Sequence, residues 1–89
     1  MLEQKIIIIN KLGLHARAAA KLINITARFS SDIRLVKDDR EVDAKSIMSV
    51  MMLAASKGTE LTIKATGIDE QDAMLAIEAL INNRFDEDE

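Results

Sequence analysis

His15 is the only histidine among the 89 residues, and its neighbours decide what its imidazole can do. It lies in the run Lys11-Leu12-Gly13-Leu14-His15-Ala16-Arg17-Ala18-Ala19-Ala20. A turn-permitting glycine precedes it; an arginine and an alanine-rich helical start follow. This order predicts a helix N-terminus at His15, where unpaired backbone N–H groups and the positive end of the dipole favour anions. Arg17 adds a guanidinium suited to phosphate oxygens. An imidazole with a free lone pair can attack phosphorus. The resulting phosphoimidazole would set its negative oxygens against the amides and Arg17 while staying accessible, which suits relay and not hydrolysis. The plainer alternative is an idle surface or capping histidine, a common fate for a lone one.

No second centre competes. Cysteine and tyrosine are absent, and no Ser-His-Asp set can be argued from spacing. The lack of cysteine excludes a disulfide framework and thiolate metal sites, and one histidine leaves no zinc set. Neither metal nor cofactor is therefore expected. The net charge of −3, with no basic cluster, argues against a nucleic-acid partner. The apolar run Ile6 to Ile9 is too short for a signal or membrane segment, so no membrane insertion and a cytoplasmic location are expected. Asp86-Glu87-Asp88-Glu89 reads as a solvated, frayed end.

The elements that must position His15 follow from periodicity. Glu3 to Asn10 is β-branched and reads as a strand whose inward face the unbroken isoleucine run conceals. Ala16 to Ala27 reads as a helix with an apolar stripe of Ala16, Ala19, Ala20, Ile23 and Ala27. Ser31 to Lys37 is a second strand with Ile33 and Leu35 on one face, turning at Asp38-Asp39 into a short strand, Arg40 to Asp43. Ser46 should cap a helix from Ile47 to Ser56, closed by Lys57-Gly58. Glu60 to Thr66 alternates, with Leu61, Ile63 and Ala65 on one face. Asp69 should cap a last helix, Glu70 to Asn83, whose stripe is Ala73, Ala76, Ile77, Leu80 and Ile81. Met48, Met51 and Met52 cannot all point inward from one short helix, so at least one should be exposed. The order βαββαβα predicts one α+β domain over residues 1–89: an open-faced two-layer sandwich, a four-stranded antiparallel sheet with three helices on one face.

The stretch Leu12-Gly13-Leu14-His15-Ala16-Arg17 resembles the phosphorylation site of the HPr family, the histidine-containing phosphocarriers of the bacterial phosphoenolpyruvate-dependent phosphotransferase system. Asp43-Ala44-Lys45-Ser46-Ile47-Met48-Ser49-Val50-Met51 resembles that family's serine-phosphorylation segment, at the family's separation. The resemblance implies a carrier, not an enzyme. His15 would accept phosphate on Nδ1 from phospho-enzyme I and pass it to IIA-type acceptors. Arg17 would hold the phosphoryl group, with the amides of Ala16 and Arg17 as its seat. Ser46 would be a regulatory site where an HPr kinase/phosphorylase exists. Ile47, Met48 and Met51, with Ala20, would belong to a partner-docking patch. One departure stands out: Ala18 takes the place of the usual proline, which gives up rigidity but adds an amide donor toward phosphate. A monomer is expected of an accessible relay.

Two rivals remain on sequence grounds. One is a regulatory branch of the same system, in which phosphorylation state signals to partners and does not drive sugar uptake; the ending Phe85-Asp86-Glu87-Asp88 looks somewhat like nitrogen-branch relatives. The other is a pure binding module controlled by phosphoserine, but such relatives lack the histidine.

Overall fold

The computed structural model describes residues 1–89. The elements are β1 (Leu2–Ile7), α1 (Ala16–Thr26), β2 (Asp32–Lys37), β3 (Arg40–Asp43), α2 (Ile47–Met52), β4 (Glu60–Thr66) and α3 (Glu70–Asn82). A single 3₁₀ turn, Arg84–Asp86, follows. The strands form one antiparallel sheet in the order β1-β4-β2-β3. β4 is central, pairing Ile6 with Leu61 on one side and Leu35 with Ile63 on the other.

Alternation along β2 and β4 turns Ile33, Leu35, Leu61, Ile63 and Ala65 onto one face, all fully buried. The concealed register of β1 resolves the same way: Ile6 and Ile8 are buried, Ile7 and Ile9 exposed. α1 and α3 cover this face, Leu22 and Ile77 being fully buried between the layers. The other face carries Lys5, Thr62 and Lys64, and Lys64 bridges to Glu41 at 3.0 Å. The open-faced two-layer sandwich expected from the sequence is present.

Three details differ from the sequence reading. The buried positions of α1 are Ala18, Ala19, Leu22 and Thr26, not the stripe Ala16, Ala19, Ala20, Ile23 and Ala27. Leu22 offers more apolar surface than any alanine and takes the centre. Thr26 goes inward because its hydroxyl donates to the Ala44 carbonyl at 2.9 Å. The rotation leaves Ala16 exposed and Ala20 half-buried.

α2 stops at Met52, short of Ser56 and Gly58. Lys37 Nζ donates to the carbonyls of Leu53 (3.0 Å) and Ala54 (3.4 Å), capping the helix, and Ala54 turns left-handed at φ 53°. The freed Ala55 carbonyl then accepts from Leu14 N at 2.8 Å, tying the end of α2 to the loop before His15. Asp69 holds the N-cap position of α3, but its side chain makes no cap bond. Its carboxylate instead takes N–H from Ser30 (2.8 Å) and Ser31 (3.0 Å) and the Ser31 hydroxyl, fastening the entry to β2.

Candidate functional site at the start of α1

The loop from Ile8 to His15 leaves the sheet edge and must turn sharply to start α1. Gly13 makes the turn at φ +67°. A Cβ there would meet the Ala55 carbonyl oxygen at 2.4 Å, so glycine is required by both conformation and space. Leu14 is buried beside it. His15 is therefore delivered in extended geometry (φ −74°, ψ 178°) as the N-cap, and its carbonyl accepts the first helical bond from Ala19 N at 2.8 Å.

The helix start is left open. His15 makes no side-chain cap bond, and the first turn holds no acidic residue. The amides of Ala16, Arg17 and Ala18 have no backbone acceptor. Four orphan donors are the rule at a helix start, and a side chain or a ligand ordinarily serves them. Arg17 is exposed and forms neither a hydrogen bond nor an ion pair. It borders an open depression with Lys11, Leu12, Glu87, Asp88 and Glu89. Free amides, a free guanidinium and an imidazole thus share one surface, an arrangement that fits a tetrahedral anion on the ring.

The acidic ending is not frayed, contrary to the sequence reading. Phe85 is fully buried, and Arg84, Phe85 and Asp86 run consecutively left-handed at φ 56°, 53° and 62°. Lys21 Nζ donates to the Phe85 carbonyl at 2.8 Å. Residues 84–89 then cross the site as a strap. Glu87 Oε2 lies 2.5 Å from His15 Nε2, with the two side chains 14% and 27% exposed. Glu87 Oε1 accepts from Asn10 Nδ2 at 3.1 Å, and the strap closes with Glu89 O bonded to Lys11 N at 2.9 Å. Burial pushes the Glu87 carboxyl up. The hydrogen bonds from His15 and Asn10, with the charges of His15 and Lys21, outweigh it and hold the group below the usual glutamate range.

A carboxylate can only accept, so the proton of this pair belongs on His15 Nε2. That leaves Nδ1, which has no partner, carrying the lone pair when the ring is neutral. Asn10 and Glu87 were missed from the sequence. The available signal was Phe85: an aromatic in an otherwise polar run needs a burial site, and the chain must pass over the fold to reach one.

The remaining expected residues fall as follows. Ala18 is buried by its side chain and contributes only its amide. Ser46 caps α2, accepting from Ser49 N at a long 3.4 Å. Only Val50 of α2 is buried. Ile47, Met48, Met51 and Met52 are all exposed, as is Leu12, and α2 packs against α1. All three α2 methionines are therefore on the surface, where the sequence required at least one to be.

A family model described as the PTS HPr component phosphorylation site matches residues 2–83. The chain is 55% identical over 89 residues to the phosphocarrier protein HPr of Cupriavidus necator, covering all of both chains. A solved structure of HPr from Thermoanaerobacter tengcongensis matches with a TM-score of 0.97 at 44% identity, covering all of both. A structure of an HPr dimer from the same organism matches at TM-score 0.79 and 45% identity, over 98% of this chain and 100% of that one. The fold and these matches define a phosphocarrier, a protein that is itself the relayed intermediate and not an enzyme. The chain belongs to the HPr family of the phosphotransferase system, and the carrier reading is favoured over the regulatory one. No helix is long and apolar enough to cross a membrane.

Proposed function

We propose that His15 is the residue that carries the phosphoryl group, on Nδ1, taking it from phospho-enzyme I and giving it to IIA-type acceptors. The observation that carries this reading is the unfilled start of α1: partnerless amides at Ala16, Arg17 and Ala18 beside a partnerless Arg17. Transfer between donor and acceptor passes through a loose, in-line transition state, so positioning and charge stabilisation supply most of the catalysis. Arg17 and the amides meet the equatorial oxygens as charge develops on them.

Leu12, Ile47, Met48 and Met51, with Ala20, form the docking patch for both kinds of partner. Soft methionine surfaces adapt to more than one partner. Ser46 is the regulatory site where an HPr kinase/phosphorylase is present. A phosphate there adds about two negative charges beside the apolar patch and weakens docking to enzyme I. Residues 1–89 act as one domain, monomeric and cytoplasmic; the dimeric relative makes oligomeric state worth measuring. No metal or cofactor is called for on this chain.

The test is incubation with phosphoenolpyruvate, magnesium and enzyme I, followed by intact mass. One acid-labile phosphate that His15→Ala abolishes supports the reading. No phosphate in the presence of demonstrably active enzyme I overturns it.

A further inference from the structure

We propose that Glu87 is a positioning residue for phosphoryl transfer: it fixes the proton of His15 on Nε2 and balances the charge of the phosphorylated ring. The inference rests on His15 being the acceptor. Its physical basis is a chain of oriented bonds that begins at a buried amide.

Asn10 is fully buried, and its Nδ2 donates both to the Gly13 carbonyl (2.8 Å) and to Glu87 Oε1 (3.1 Å). Both partners are acceptors, so the amide has only one workable orientation. Asn10 therefore fixes which carboxylate oxygen is left for His15, and Oε2 meets Nε2 at 2.5 Å. The strap holding Glu87 is anchored on both sides, by buried Phe85 with Lys21 and by Lys11 with Glu89. The arrangement has the logic of an imidazole held by a carboxylate in a hydrolase triad, where the acid sets tautomer and orientation without taking the proton.

The step balances as follows. The Nδ1 lone pair forms the N–P bond. The bond from phosphorus to the donor breaks, and its electron pair leaves with the donor. The ring, still protonated at Nε2, becomes a phosphoimidazolium, and its positive charge faces the Glu87 carboxylate. In onward transfer the N–P electron pair returns to Nδ1 and the ring is neutral again, with no proton moved. Glu87 holds the ring at Nε2, which leaves Nδ1 for phosphorus, and Arg17 borders the same depression.

The Asn10 anchor gives an unusual consequence. In Glu87→Gln the amide oxygen must turn to Asn10 Nδ2, so the amide NH₂ points at His15 Nε2. A donor there requires Nε2 to accept, which moves the ring proton to Nδ1 and removes the nucleophilic lone pair. Glu87→Ala leaves the tautomer unconstrained. The conservative variant should therefore be worse than the truncation.

Long-range ¹H–¹⁵N spectra of the His15 ring in the unphosphorylated wild type, Glu87→Gln and Glu87→Ala read the tautomer directly. Backbone amide spectra check that each variant is folded. Initial rates of phosphorylation by phosphoenolpyruvate and enzyme I follow. The expected result is Nε2–H in the wild type and Nδ1–H in Glu87→Gln, with rates falling in the order wild type, Ala, Gln. The Gln variant should be about tenfold or more below the Ala variant, since a wrong tautomer is severe where it has been measured. A Gln variant that keeps Nε2–H, or transfers as fast as the Ala variant, overturns the proposal. The ring spectra are read without any phosphate, so failure of the acceptor assignment and failure of this inference are separately visible.

Discussion

The starts of α1 and α3 are the same kind of structure treated in opposite ways. At α3 the first turn carries Glu70 and Asp72, Glu70 accepts from Gly67 N at 3.1 Å, and the Asp69 carboxylate is spent on Ser30 and Ser31. The positive end of that helix is met by the protein's own acids. At α1 there is no acid in the first turn, no side-chain cap, and an arginine without a partner. The Glu87 carboxylate bonds the imidazole and not the helix amides. The Gln71 and Asp72 amides of α3 are as partnerless as those that open α1, so the two starts differ in the charges set beside them and not in their free amides. An acid beside a helix start answers its dipole from within the fold; a start with only a cation and an imidazole beside it is the one open to an outside anion.

The largest expected effect concerns what holds the strap beside the open start. Phe85→Ala empties a fully buried aromatic position and should cost about 3–5 kcal/mol. For a domain of this size that lowers the melting temperature by roughly 12–40 °C. An unchanged melting temperature would show that the strap is not anchored there.

Next comes Arg17→Ala, which should slow phosphoryl transfer about 100-fold, comparable to losing one oriented charge-stabilising donor, while leaving thermal stability near wild type. Asp69→Asn should do the reverse, lowering stability at neutral pH and leaving transfer untouched. If both variants affected both readouts, the contrast between the two helix starts would fail.

Acid sharpens the same contrast. Hydrogen bonds from the Ser31 hydroxyl and the Ser30 and Ser31 amides hold Asp69 down at about 2, from an ordinary 3.8. A depressed acid stabilises the fold above its unfolded pKa, and that contribution is lost as pH falls from about 4 toward 2. Melting temperature followed over that window should fall more steeply in the wild type than in Asp69→Asn. Parallel curves would contradict the assignment.

The smallest effect is expected at Ser46. Its cap bond to Ser49 N is long at 3.4 Å, so Ser46→Ala should cost about 0.5 kcal/mol, the low end for cap removal. Ser46→Asp should fold normally and bind enzyme I more weakly, as titration calorimetry would measure. Undiminished binding would remove Ser46 from the docking surface.

How far the sequence could be read depended on how local each feature was. His15 and Arg17 are two residues apart on a predicted helix start, and their meeting needed no tertiary knowledge. The alternation of Leu61, Ile63 and Ala65 likewise carried β4 directly into the core. The face of α1 was misjudged because five small or apolar positions suggested a stripe, while a long-range bond from Thr26 to Ala44 fixed the rotation. α2 was drawn too long because Lys37, on another strand, caps it. Glu87 was hidden most deeply: 72 residues separate it from His15, and an acidic run has no periodicity to announce a docked position. Each miss is a polar contact between distant segments, which pattern reading along the chain does not register.

The most direct measurement compares backbone amide shifts before and after phosphorylation by phosphoenolpyruvate and enzyme I. If the start of α1 is the phosphate seat, the amide protons of Ala16, Arg17 and Ala18 move downfield together, and those of Glu70, Gln71 and Asp72 stay where they were. Unmoved α1 amides on a protein carrying its phosphate, or a phosphate mapped to a residue other than His15, would contradict the account.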